Sequence, residues 1–215
     1  MPTRTRIKIC GIRDPHTALI ACECGADAIG VVLAPGSPRT VTSDEAWEVV
    51  AAVPPFVTTV GLFVNAKPEQ YLEAAHDLGF DLGQLHGKEA EPVVRECGPG
   101  IIKAIQYDSE TIEHDLFKWS RITEVNAVLV DGGSGGTGER ADWAHLAQVA
   151  ERCDHPLILA GGLTPENVGE AIRLVRPWAV DVSSGVESER GVKDPALIEA
   201  FCEAVRQADA RLNKA

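Results

Sequence analysis

Basic residues are scarce. Lys and Arg number 20 against 32 Asp and Glu, for a formal net charge of −12. That balance argues against the clustered cationic surface that a nucleic-acid partner requires. An anionic small molecule would have to be held by local donors, because the overall field repels it. Long apolar runs are missing too. None approaches the roughly 20 residues of a membrane-spanning helix. The basic start MPTRTRIKIC lacks the apolar segment of a secretory signal. No membrane contact is therefore expected, and the expected location is cytoplasmic. The six cysteines (Cys10, Cys22, Cys24, Cys97, Cys153, Cys202) contain no CxxC pair, and the six histidines form no HxH or HExxH pattern. No metal site is expected, and the thiols are read as small buried hydrophobes in a reducing compartment.

What is present is alternation. Short apolar runs recur along the 215 residues: RIKIC (6–10), AIGVVL (28–33), TTVGLFV (58–64), LGQL (82–85), IIKAI (101–105), NAVLV (126–130), PLILA (156–160) and WAVDV (178–182). Continuous runs of this length are how strands buried on both faces look. Amphipathic stretches lie between them, several with start signals. Asp14-Pro15 reads as an N-cap followed by proline in the first turn, and Ser43-Asp44-Glu45, Lys67-Pro68-Glu69 and Thr164-Pro165-Glu166 read similarly. Eight strand-then-helix units, with no long linker and no break in composition, predict an α/β protein: a single (β/α)8 barrel domain over residues 1–215. A doubly wound open sheet is the alternative. It is disfavoured because CGIRDP, not GxGxxG, follows the first strand.

In such a barrel, function sits where the strands end. Strand one ends on Cys10, with Lys8 on the same side of the strand, where its charge would draw the thiol pKa down. The bland alternative is one more buried thiol. After strand two, Arg39 stands in GSPRTVT, held among prolines and shaped to fork onto a carboxylate. It could equally be a solvated surface side chain. His86, after strand four, could line a pocket, be an ordinary capped histidine, or orient a neighbour. Strand six runs into Asp131 and then into five glycines within residues 132–138. Asp131 is a candidate acid or base, or else a turn aspartate. Gly135 and Gly136 could offer backbone amides or close over a ligand. Gly161 and Gly162 precede a helix start near Thr164, and Ser184 and Gly185 follow strand eight in VSSGVE. Loops after strands seven and eight commonly hold phosphate through backbone N–H groups. The sum is a phosphate grip on one side of a barrel mouth, with a thiol and a carboxyl facing each other. Proton transfer on a sugar phosphate, without cofactor, follows as the expected chemistry.

The segments KICGIRDP, GSPRTVT, VGLFVN, QLHGKE, VDGGSGGTGERADW, LAGGLTPENVGEAI and VDVSSGVESERGVKD resemble, in order, those of phosphoribosylanthranilate isomerase. Departures are mild: Ala141 stands where the family often has Phe, and Val31-Val32-Leu33 replace a more aromatic strand. The resemblance implies an Amadori rearrangement in tryptophan biosynthesis, with no cofactor. It implies Cys10 as general base, Asp131 as general acid, and Arg39 on the anthranilate carboxylate. Substrate contacts would include His86, Gly135, Gly136, Gly161, Gly162, Ser184 and Gly185. The partner is a phosphorylated small molecule, and the chain is expected as a monomer or homodimer. A sister isomerase of the histidine pathway would carry an aspartate where Cys10 stands. A catalytically dead phosphate-binding barrel would not need both Cys10 and Asp131.

Overall fold

The computed structural model describes residues 4–132, 141–151 and 153–214. Eight parallel strands close in sequence order into a barrel: β1 (Arg6–Cys10), β2 (Ala28–Val32), β3 (Thr58–Phe63), β4 (Leu82–Leu85), β5 (Ile101–Gln106), β6 (Val125–Asp131), β7 (Leu157–Ala160) and β8 (Ala179–Val182). Each lies within about one residue of its apolar run in the sequence. The ring is sealed where Ile7 of β1 pairs with Val180 of β8. Helices α1 (Pro15–Glu23), α2 (Ser43–Ala52), α3 (Pro68–Leu78), α4 (Glu91–Cys97), α5 (Ile112–Trp119), α6 (Trp143–Ala150), α7 (Val168–Val175) and α8 (Pro195–Leu212) follow the strands in turn. A short hairpin, β9 (Glu187–Glu189) with β10 (Val192–Lys193), is inserted before α8.

Alternation along each strand divides its side chains between two cores. Outward residues such as Ile9, Leu85 and Val130 pack beneath the helices. Inward residues, among them Val60, Ile102, Leu129 and Ile158, fill the pore. The interior is thus packed below, which leaves the rim at the strand ends as the open face of the barrel. Helix starts follow local capping. Asp14 accepts from the Thr17 amide at 2.9 Å, and Thr42 and Glu45 form a capping box ahead of α2. At the far end, Asp209 of α8 accepts from the Thr5 amide at 2.7 Å and fastens the first strand to the last helix.

Two expectations are corrected. Helix α7 begins at Val168, not near Thr164. Buried Asn167 accepts from the Thr164 amide at 2.9 Å and donates to the Gly162 carbonyl at 2.8 Å, so the intervening residues form a turn instead of helix. The stretch after β8, read as loop, contains the β9–β10 hairpin. Among the described residues, no helix is long and apolar enough to cross a membrane.

Candidate active site

Cys10 and Asp131 are the last residues of β1 and β6. In the closed ring only β7 and β8 separate these strands on one side, against four strands on the other. The two side chains therefore stand on the same rim, on nearly opposite walls. Cys10 is 5% exposed and clusters with Val32, Ala34 and Leu62 inside the mouth. Its neighbours in the pore are charged. Lys8 donates to Asp181 of β8 at 2.8 Å, with both side chains buried. A β-carbon placed on Gly30, which pairs with Cys10, would lie 3.1 Å from both the Cys10 Sγ and the Lys8 Nζ. Lysine and thiol thus share the space that this glycine leaves open.

The sequence suggests that Lys8 should bring the thiol toward neutrality. In the structure burial wins. It pushes the Cys10 pKa up, Lys8 and Lys193 pull it down, and Asp181 adds a further upward push. The Lys8 ammonium is itself kept charged: burial disfavours the charge, but Asp181 and Cys10 together outweigh it. Counted around the thiol, Lys8, Lys193 and Arg39 supply three cations, and Asp181 and Glu187 two carboxylates. One positive charge is left over, and a thiolate would neutralise it.

Arg39 forks onto Glu187, with Nε to Oε1 at 2.6 Å and Nη2 to Oε2 at 2.8 Å. Its aliphatic stem lies on Gly11, the residue after Cys10, where a β-carbon would come within 2.5 Å of the arginine Cδ. Lys193 also donates to Glu187, at 2.7 Å, and the Gly191 amide does so at 3.0 Å. Burial alone would raise the Glu187 carboxyl, yet these donors hold it at about 2. The fork foreseen for Arg39 thus exists, with a protein carboxylate in place of a ligand's. The sequence reading missed Glu187 and Lys193. Their signal, VESERGVK, looks like an ordinary polar turn until the hairpin folds back over Arg39.

On the opposite wall, Asp131 Oδ2 lies 3.3 Å from His86 Nε2, and His86 Nδ1 lies 2.7 Å from the Gln84 side-chain nitrogen. His86 and Asp131 line a cavity of about 690 Å³, which also takes in Gln106, Tyr107, Lys118 and Trp119. In its lining, Lys103 and Glu89 form a further buried pair at 2.8 Å.

The loops after β7 and β8 abut. Gly161 and Gly162 have φ of 88° and 65°, in the left-handed region where a side chain is strained. A β-carbon on Gly185 would lie 1.8 Å from the Leu163 carbonyl oxygen, so only glycine lets the two loops meet. Ser184 and Gly185 belong to a short 3-10 turn, Ser184–Val186. Of the site residues expected from sequence, the structure groups Cys10 with Arg39, His86 with Asp131, and Gly161 and Gly162 with Ser184 and Gly185. Gly135 and Gly136 lie outside the described residues.

A closed (β/α)8 barrel with ionisable side chains at its mouth and two glycine turns after its last strands defines a class, the barrel enzymes of small phosphorylated metabolites. Within that class, the chain belongs to the N-(5'-phosphoribosyl)anthranilate isomerase family, whose model matches residues 7–204. A relative of that name from Leptothrix cholodnii is 45% identical over 214 residues, covering 98% of this chain and 94% of the relative. The crystal structure of phosphoribosyl anthranilate isomerase from Thermotoga maritima superposes with a TM-score of 0.87 at 38% identity, covering 94% of this chain and 99% of that one. A further crystal structure of the isomerase, in complex with reduced 1-(o-carboxyphenylamino)-1-deoxyribulose 5-phosphate, gives 0.85 at 36% identity, again with 94% and 99% covered.

Proposed function

We propose that Cys10 and Asp131 divide between them the proton transfers of the family's reaction. The chain is an isomerase of tryptophan biosynthesis. It converts N-(5-phosphoribosyl)anthranilate into 1-(2-carboxyphenylamino)-1-deoxyribulose 5-phosphate. Asp131 gives a proton to the furanose oxygen, the ring opens, and the nitrogen lone pair forms an iminium at C1′. That positive charge acidifies the C2′ proton, and the Cys10 thiolate removes it. The resulting enolamine ketonises to product. Each such transfer by a positioned side chain accelerates the reaction typically about 10²–10⁴-fold. Arg39, pre-set by Glu187, faces the anthranilate carboxylate. The backbone around Gly161, Gly162, Ser184 and Gly185 takes the phosphate, which a protein of charge −12 must bind through local dipoles. Gly135 and Gly136 are assigned to the same sugar phosphate, and His86 to the substrate side of Asp131.

The observation that carries this reading is the placement of a buried thiol and a carboxyl on facing strands of one rim. The test is steady-state kinetics on the fluorescent substrate, with no cofactor or metal added. Cys10→Ser and Asp131→Ala should each lower kcat by at least about 10²-fold, while Arg39→Ala mainly raises KM. Folded Cys10 and Asp131 variants with normal turnover would refute the role assignment, and an unchanged KM would remove Arg39 from the anthranilate pocket.

A further inference from the structure

Gln84 is buried in the pore, the third residue of β4, with its side-chain nitrogen 2.7 Å from His86 Nδ1. An amide nitrogen only donates hydrogen bonds. With the amide nitrogen turned to the ring, His86 Nδ1 accepts, and in the neutral ring the proton then sits on Nε2, which faces Asp131 Oδ2 at 3.3 Å. Gln84 Oε1 is buried and has no hydrogen-bond partner among the described residues. A residue kept there only to fill space would do better as an apolar side chain of the same size, because an unpaired buried carbonyl is destabilising.

We infer that Gln84 is a positioning residue, which locks His86 as the Nε2–H tautomer so that the ring donates to Oδ2 of Asp131. One consequence follows for proton transfer: Oδ2 already faces the ring N–H while Asp131 holds its acidic proton. Once that proton has left for the furanose oxygen, the new carboxylate meets a donor already in place, with no reorganisation. The backbone that carries the carboxyl is held as well, because the Asp131 main-chain carbonyl accepts from the Gln106 side chain at 2.9 Å and from the Tyr107 amide at 2.8 Å. The inference rests on the reading of Asp131 as the acid.

The test uses the full chain and two near-isosteric variants, Gln84→Met and Gln84→Glu. Nitrogen-15 NMR of the His86 imidazole reports which nitrogen carries the proton, and kinetics reports function. The wild type should show a bare Nδ1. Gln84→Met should give a mixed tautomer and Gln84→Glu a protonated Nδ1. In each, kcat should fall at least about tenfold with KM nearly unchanged. A protonated Nδ1 in the wild type overturns the inference, as does a Gln84→Met enzyme with unchanged tautomer and kcat. Should Gln84→Glu fail to fold, Gln84→Met alone decides, since it buries no charge. Asp131→Asn separates the two levels. Full turnover in that variant defeats the acid assignment itself, whereas its inactivity beside a normal Gln84→Met enzyme defeats only the role of Gln84.

Discussion

Cys10 sits among five charged side chains that do not cancel, and burial still sets the direction of its titration. Only the thiolate is a base. In the free enzyme, alkylation of Cys10 by iodoacetamide should therefore speed up as pH rises and should not level off by about pH 8.5, where an ordinary thiol is half ionised. Lys193→Met, which removes one of the two lysines that pull the thiol down, should move the rise to still higher pH. Subtracting the rate of Cys10→Ser isolates this thiol from the other five. A rate already level near neutral pH would contradict the account. The rim positions of Cys10 and Asp131 were legible in the sequence because each ends an apolar run, and the end of a strand is the rim. Gln84 was not legible, since a glutamine inside LGQL carries no sign that its amide meets a histidine two residues on. Glu187 was hidden for a different reason: its partner Arg39 lies 148 positions away.

Among the elements, the barrel strands were readable because burial on both faces leaves continuous apolar runs. The hairpin β9–β10 was not. It has three and two residues, is largely exposed, and is held by its ion pairs more than by hydrophobic patterning. The start of α7 was misplaced because Thr164-Pro165-Glu166 has the residues of a helix start, while Asn167 bonds the turn from within. The hairpin's anchor gives a prediction. The Glu187 carboxyl titrates at about 2, below its ordinary 4.5. A depressed carboxylate contributes stability that is complete above the unfolded value and lost as pH falls through the folded one. Part of the acid loss of stability, between about pH 4.5 and 2, should therefore vanish in Glu187→Gln. That variant should also be less stable at neutral pH by about 3–5 kcal/mol, the usual effect of breaking a buried ion pair. Thermal unfolding across pH checks both. The same acid dependence in the two proteins would show that Glu187 does not anchor the hairpin.

Over the whole molecule, an acidic exterior surrounds a mouth that carries surplus positive charge near Cys10 and paired glycine turns at the ends of β7 and β8. Charge and composition made the need for a local anion site legible. They could not show that the site is split, with a thiol and Arg39 on one wall and a histidine-held carboxyl on the other. The account's central claim is that both walls act on one sugar. A crystal structure of this chain with a reduced, unreactive analogue of the product tests it most directly. The expected result places the Cys10 sulfur and the Asp131 carboxyl on opposite sides of the same sugar chain, each within about 3.5 Å of it, with the phosphate against Gly162 and Gly185. A ligand bound away from either side chain, or an Asp131 turned out to solvent beside a bound sugar, would contradict it.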